Sequence, residues 1–69
     1  MKKDFLELLK AEDFKEVSTD EQIQFKDGRW TLKLEDNDWD NICFDFYVDD
    51  TYVTCITTLD KFIKIINLL

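Results

Sequence analysis

Histidine is missing altogether from the 69 residues, proline is missing too, and glycine occurs once, at Gly28. Without an imidazole, the Ser-His, Cys-His and His-metal arrangements behind much hydrolytic and metal-dependent chemistry are excluded. One glycine and no proline leave no flexible linker, no Pro-rich recognition segment, no Gly-rich phosphate loop and no dinucleotide fingerprint. No apolar run approaches the ~18 residues that a membrane-spanning helix needs, and Met-Lys-Lys at the start is followed by Asp4 and Glu7 instead of an apolar signal core. Both features point to a cytoplasmic protein. The two cysteines, Cys43 and Cys55, are too few for a disulfide scaffold and are expected as free thiols in a reducing compartment.

Positive charge is also missing from a long stretch. Leu34 to Asp60 holds eight acids and no Lys or Arg, whereas residues 1 to 33 hold eight acids against seven bases; the net charge is -7. Such a field repels nucleic acid and anionic membranes and attracts basic protein surfaces. Direct nucleic-acid binding is excluded on the same ground, since phosphate contact needs clustered Lys and Arg.

What the chain does have is a core. Hydrophobic residues make up 45%, with six Phe and two Trp, enough for one globular domain over residues 1–69 near the lower size limit for a self-sufficient core. Phe5, Leu8 and Leu9 at i, i+3, i+4, widened by Leu6, predict an amphipathic helix from about Lys2 to Glu12. "FLELL" also matches the spacing of groove-binding helical peptides, but a domain this small needs that stripe for its own core. Phe14 and Val17 either extend this helix by a turn or anchor a connecting segment.

In "QIQFKDGRWTLKL", Asp27-Gly28 reads as a two-residue hairpin loop that sets Phe25 against Trp30 and Ile23 against Leu32 on one face. "NICFDFYV" alternates with Ile42, Phe44, Phe46 and Val48 inward, and a turn at Asp49-Asp50 returns the chain as "TYVTCITT". Uniform alternation from Val48 opposite Thr51 buries Cys55 against Phe44 and leaves Cys43 outside beside Ile56, so the two thiols point opposite ways. Thr57 or Thr58 caps a final helix whose buried stripe is Leu59, Phe62, Ile63 and Ile66. The predicted fold is α+β: a four-stranded antiparallel meander with an N-terminal and a C-terminal helix on one face, in the order α-β-β-β-β-α.

The acidic stretch "LEDNDWDNICFDFYVDD" admits three readings. Asp36, Asp38 and Asp40 reproduce the opening of an EF-hand calcium loop, yet Asn41 stands where the sharp turn needs Gly and Tyr47 where a bidentate Glu belongs. Zinc fares no better with thiols on opposite faces and no imidazole, so neither metal nor cofactor is expected. Paired carboxylates require a cleft that so small a fold hardly offers, and no enzymatic activity is expected. A second reading is a ridge of Glu35, Asp36, Asp38 and Asp40, extended by Asp49 and Asp50. In extended chain, alternate carboxylates stand roughly 6.6 Å apart, near the phosphate repeat of a nucleic-acid strand. The third is a solvated turn whose charge keeps the protein soluble. Beside it, the outer face of the second hairpin offers Tyr47 opposite Tyr52 with Asp45 nearby, suited to a basic partner because aromatics supply anchor area and stack on Arg. Trp39 either joins that surface or plugs the open end of the core.

In size, acidity and lack of catalytic residues, the chain resembles small proteins that phages and plasmids use against host defences, including anti-CRISPR proteins and DNA mimics. It is similar also to immunity proteins that neutralise toxic nucleases. The likeness is compositional and transfers no residues. The expected function is a non-enzymatic acidic protein-binding module, an inhibitor covering the basic nucleic-acid-binding surface of a partner such as a nuclease. Glu35, Asp36, Asp38, Asp40, Asp45, Asp49 and Asp50 would supply charge, with Trp39, Tyr47 and Tyr52 as anchors. The alternative is a structural or adaptor protein that homodimerises through the outer sheet face.

Overall fold

Two helices flank a five-stranded antiparallel meander in the computed structural model, which describes residues 2–68. In chain order the elements are α1 (Lys2–Ala11), β1 (Lys15–Glu16), β2 (Gln24–Asp27), β3 (Trp30–Leu34), β4 (Phe44–Val48), β5 (Thr51–Ile56) and α2 (Leu59–Leu68), and the strands lie side by side in that same order. The α+β architecture is as the sequence pattern predicts, with one strand more. The addition is β1, whose two residues are too short for alternation to register in sequence. It is held by the pairs Lys15–Lys26 and Glu16–Phe25, and by a bond from the Val17 N–H to the Gln24 carbonyl at 2.9 Å.

Chain reversal after α1 explains why Phe14 does not continue the helix. The Phe14 N–H reaches back to the Leu9 carbonyl (2.9 Å) and the Asp13 N–H to the Lys10 carbonyl (3.1 Å), with Asp13 at φ 63°. This is a Schellman closure with Asp13 in the left-handed position that glycine usually takes. It drops Phe14 into the core beside Trp30 and Phe62, while Val17 stays exposed.

The β2–β3 hairpin keeps the predicted faces but slides by two residues. Asp27 pairs with Trp30, so Gly28 and Arg29 form the turn, and Phe25 stands opposite Leu32. Gly28 takes φ +57° at the first central position, where a II′ turn requires glycine. A two-residue slip leaves side-chain parity intact. At the β4–β5 reversal, Asp49 (φ 51°) and Asp50 (φ 65°) both adopt the left-handed conformation of a I′ turn, and Val48 pairs with Thr51 as expected.

Beyond that turn the predicted alternation fails. Tyr47 pairs with Tyr52 but Phe46 pairs with Thr54, leaving Val53 as an extra residue in β5. This β-bulge reverses the parity of everything after it. Ile56, predicted outside, is buried, and Val53, predicted opposite Phe46 in the core, is exposed.

The core fills one side of the sheet. Phe44 lies at its centre, within ring contact of Phe5 (5.5 Å), Trp39 (5.9 Å) and Phe25 (6.1 Å), and Phe62 from α2 joins through Phe5 and Phe14. Offset and edge-on pairs of this kind add to the area that they bury. Thr58 caps α2 through its Oγ1, which accepts from the Lys61 N–H at 3.2 Å. Ile63, predicted in the buried stripe of α2, is exposed, and Ile65 packs on the core instead. Both helices thus cover the inner face.

Candidate functional site

The outer face is built from three cross-strand rows. Lys15, Lys26, Thr31, Tyr47 and Tyr52 are successive partners in one row, and Gln24, Lys33, Asp45 and Cys55 in the next. Glu35 and Cys43, just past the last β3–β4 pair, begin a third, tied by a bond from the Glu35 N–H to the Cys43 carbonyl at 2.8 Å. Charge therefore changes sign across the sheet, with lysines on β1 to β3 and the carboxylate of Asp45 on β4.

Tyr47 and Tyr52 meet edge to face at 5.8 Å between ring centroids, with the Lys33 ammonium 4.7 Å above the Tyr47 ring. Tyr47 is half-buried and Tyr52 exposed. Asp45, half-buried, stands between Lys33 and Cys55.

The predicted ridge takes a different shape. Glu35–Asn37 forms a 3-10 turn in which Asp36 (φ 55°, ψ 12°) and Asn37 (φ 52°) are left-handed, so the evenly spaced extended array of carboxylates is not formed. The cause is Asn37. Its Oδ1 accepts from the Ile23 N–H (2.8 Å) and its Nδ2 donates to the Glu21 carbonyl (3.0 Å), while Gln22 Nε2 donates to the Leu34 carbonyl (2.8 Å). These bonds fasten the loop to the segment entering β2. Asp38 is used locally as well, its Oδ1 accepting from the backbone N–H groups of Asp40 (2.9 Å) and Asn41 (3.3 Å). Asp36 and Asp40 remain exposed, and among the described residues their carboxylates make no ion pair.

Trp39 packs at the border of the core. Its half-buried indole stands edge-on to Phe25 (6.3 Å) and Phe44 (5.9 Å), and Lys2 Nζ lies 5.1 Å from the ring centroid. Asp49 and Asp50 lie at the opposite end of β4 from Glu35, roughly 20 Å away at ~3.3 Å per residue. Asp49 pairs with Arg29 at 2.6 Å, both groups largely in solvent, a contact worth little by itself. The sequence ridge is thus two acidic ends with Asp45 between them.

No family model, curated protein or solved structure matches this chain.

The largest departure concerns the cysteines. Cys43 and Cys55 form a disulfide, with Cα atoms 6.3 Å apart, and are neither free nor on opposite faces. The bulge at Val53 is the reason: the parity change turns Cys55 out of the core to the face on which Cys43 already lies. The argument against zinc from divergent thiols falls with it. Sequence reasoning also passed over Asn37, an amide among carboxylates, whose only signal is that it cannot contribute charge.

Proposed function

We propose that this chain is a non-enzymatic acidic protein-binding module that covers a basic nucleic-acid-binding surface of a partner protein. The observation that carries the reading is an uncovered sheet face bordered at both ends by exposed carboxylates, Glu35, Asp36 and Asp40 at one and Asp50 at the other, in a chain segment without a base. The Tyr47–Tyr52 pair between them offers aromatic area for Arg stacking, and Asp45 adds charge beside it. Two separated clusters fit a partner with two basic patches better than one evenly charged groove. Trp39, half-buried, packs on the core and leaves the rest of its indole as an anchor at the acidic end.

The test begins with capture of partners on immobilised protein and elution by a salt gradient, followed by binding kinetics at two ionic strengths. Changing Asp36, Asp38 and Asp40 together to Asn keeps the Oδ1 acceptor of residue 38, so folding is preserved, while association slows and its salt dependence flattens. Association at the wild-type rate would reduce this end of the molecule to a solvated turn. A captured partner without a nucleic-acid site would remove the inhibitory role.

The alternative, a homodimer through the outer face, draws support from Tyr52 and Val53, exposed side by side at 54% and 53% on the edge strand. Sedimentation equilibrium distinguishes them, because an apolar dimer persists at high salt and a charge-driven complex does not.

A further inference from the structure

The bulge brings four ligand-bearing side chains together on the outer face. Glu35 faces Cys43 through their backbone bond, Asp45 in β4 lies two residues beyond Cys43, and Cys55 is paired with Asp45. Their ligand atoms, two sulfurs and two carboxylate oxygens, all lie within 4.8 Å of one another. Glu35 Oε2 is 3.3 Å from Cys43 Sγ. Cys43, Asp45 and Cys55 are half-buried; Glu35 is exposed and closes the group from the solvent side.

We propose that reduction of the Cys43–Cys55 disulfide converts this group into a four-ligand site for a thiophilic divalent cation, Zn2+ being the natural occupant. A dithiol or phosphine reductant supplies two electrons and the sulfur–sulfur bond breaks to two thiols. The cation then displaces both thiol protons, and the carboxylates of Glu35 and Asp45 complete the shell. A tetrahedral zinc with Zn–S near 2.3 Å and Zn–O near 2.1 Å holds its ligand atoms ~3.4–3.8 Å apart, so the group needs only side-chain rotation to open the bonded sulfurs and draw in the oxygens.

Physical chemistry favours this reading over adventitious binding by acids. Two thiolates select zinc over magnesium or calcium, which prefer oxygen. Asp45 and Cys55 are paired across β4 and β5, and Glu35 and Cys43 stand at the adjoining ends of β3 and β4, tied by their backbone bond, so the sheet sets the geometry of the group. Lys33, the other cross-strand neighbour of Asp45, has its ammonium over Tyr47, and among the described residues it forms no ion pair with that carboxylate. The oxidised protein lacks the site, because a disulfide sulfur is a poor ligand. The surface that carries Tyr47 and Tyr52 would thus exist in a cross-linked and a metal-bound form.

The test is cobalt titration of the whole chain after reduction by a phosphine, which leaves no competing thiol. Expected are thiolate-to-cobalt charge transfer and the intense visible bands of tetrahedral cobalt, saturating at one metal per chain and erased by Zn2+. The oxidised protein should show neither. Cys43→Ser or Cys55→Ser should remove most of the charge-transfer intensity. Glu35→Gln and Asp45→Asn, surface changes that leave the disulfide available for folding, should keep the sulfur bands but weaken affinity by roughly tenfold or more each, as for groups that shape a metal shell. Zn2+ should raise the melting temperature of the reduced chain and not of the oxidised one. The proposal is overturned if reduced protein gives no charge transfer or binds one metal per two chains. It is equally overturned if metal leaves the reduced chain unfolded, or if the double carboxylate variant binds as tightly as the wild type.

Discussion

Asp13 and Gly28 share a left-handed backbone, at φ 63° and 57°, but only one of them is glycine. An L side chain there costs about 1 kcal/mol, somewhat less for Asp, whose short polar side chain is tolerated. Asp13→Gly should therefore stabilise the domain by roughly 0.5–1 kcal/mol, because the closure of α1 depends on backbone bonds that glycine makes equally well. Thermal unfolding measures it, and an unchanged or lower midpoint would show that the Asp13 side chain contributes something that its conformation does not reveal. The converse holds at Gly28. A Cβ there would meet nothing within 4 Å, so the cost of a substitution is conformational and not steric. Gly28→Val should destabilise by ~1 kcal/mol or more and Gly28→Asn by clearly less, since Asn tolerates the left-handed region and a branched residue does not. Equal losses in the two variants would contradict that account.

The loop from Glu35 to Asn41 shows how charge can disguise a structural joint. Asn37 makes side-chain bonds at both its oxygen and its nitrogen to the segment entering β2, and these fix the direction in which the chain leaves β3. Asn37→Ala leaves an N–H and a carbonyl unpartnered and should cost ~1–2 kcal/mol in denaturant unfolding, whereas Asp36→Asn should change stability by less than about 0.5 kcal/mol. Similar losses at both positions would mean that the whole loop, and not its amide, holds the joint. Local patterns made the two helices, the two hairpins predicted and the inward faces of β2, β3 and β4 legible, because each spans enough residues for its period to show. Two features of local geometry were illegible. In "TYVTCI" one inserted residue changes the parity halfway, and β-branched residues on both faces conceal where; the misplacement of Ile56, Val53 and Cys55 follows from that single residue. At β1, two residues carry no period at all. The candidate surface was legible as composition, in its acids and its tyrosines, but its arrangement was not, since the 3-10 turn depends on bonds between residues fifteen apart in the chain.

A domain of 69 residues has little stability to spare, which gives the cross-link disproportionate weight. The disulfide closes a loop with a sequence separation of 12, and in the chain-entropy view a loop of about this length stabilises by roughly 3 kcal/mol. Reduction in a metal-free buffer should lower the melting temperature by on the order of 10–25 °C, at ~4–8 °C per kcal/mol for a domain of this size. A shift of only a degree or two would mean that β4 and β5 are fully ordered without it. The four consecutive strand pairs and the helix that follows them place most backbone contacts between chain neighbours, apart from the packing of α1 beneath the sheet. Such topologies fold quickly and leave partly formed sheets exposed only briefly.

The bulge at Val53 has one more effect, on how copies of the molecule treat each other. β5 is an outer strand, and "TYVTCI" is six residues of high β-propensity with no charge and no proline, the signature of a segment that stacks into fibrils. On a flat strand its free edge would be a template for a second chain. The extra residue twists that edge and interrupts its row of donors and acceptors, and Asp49, Asp50 and Asp60 stand guard at its two ends. The opposite edge, β1, is too short to recruit anything. One inserted valine thus disrupts the very edge along which a second copy would otherwise stack.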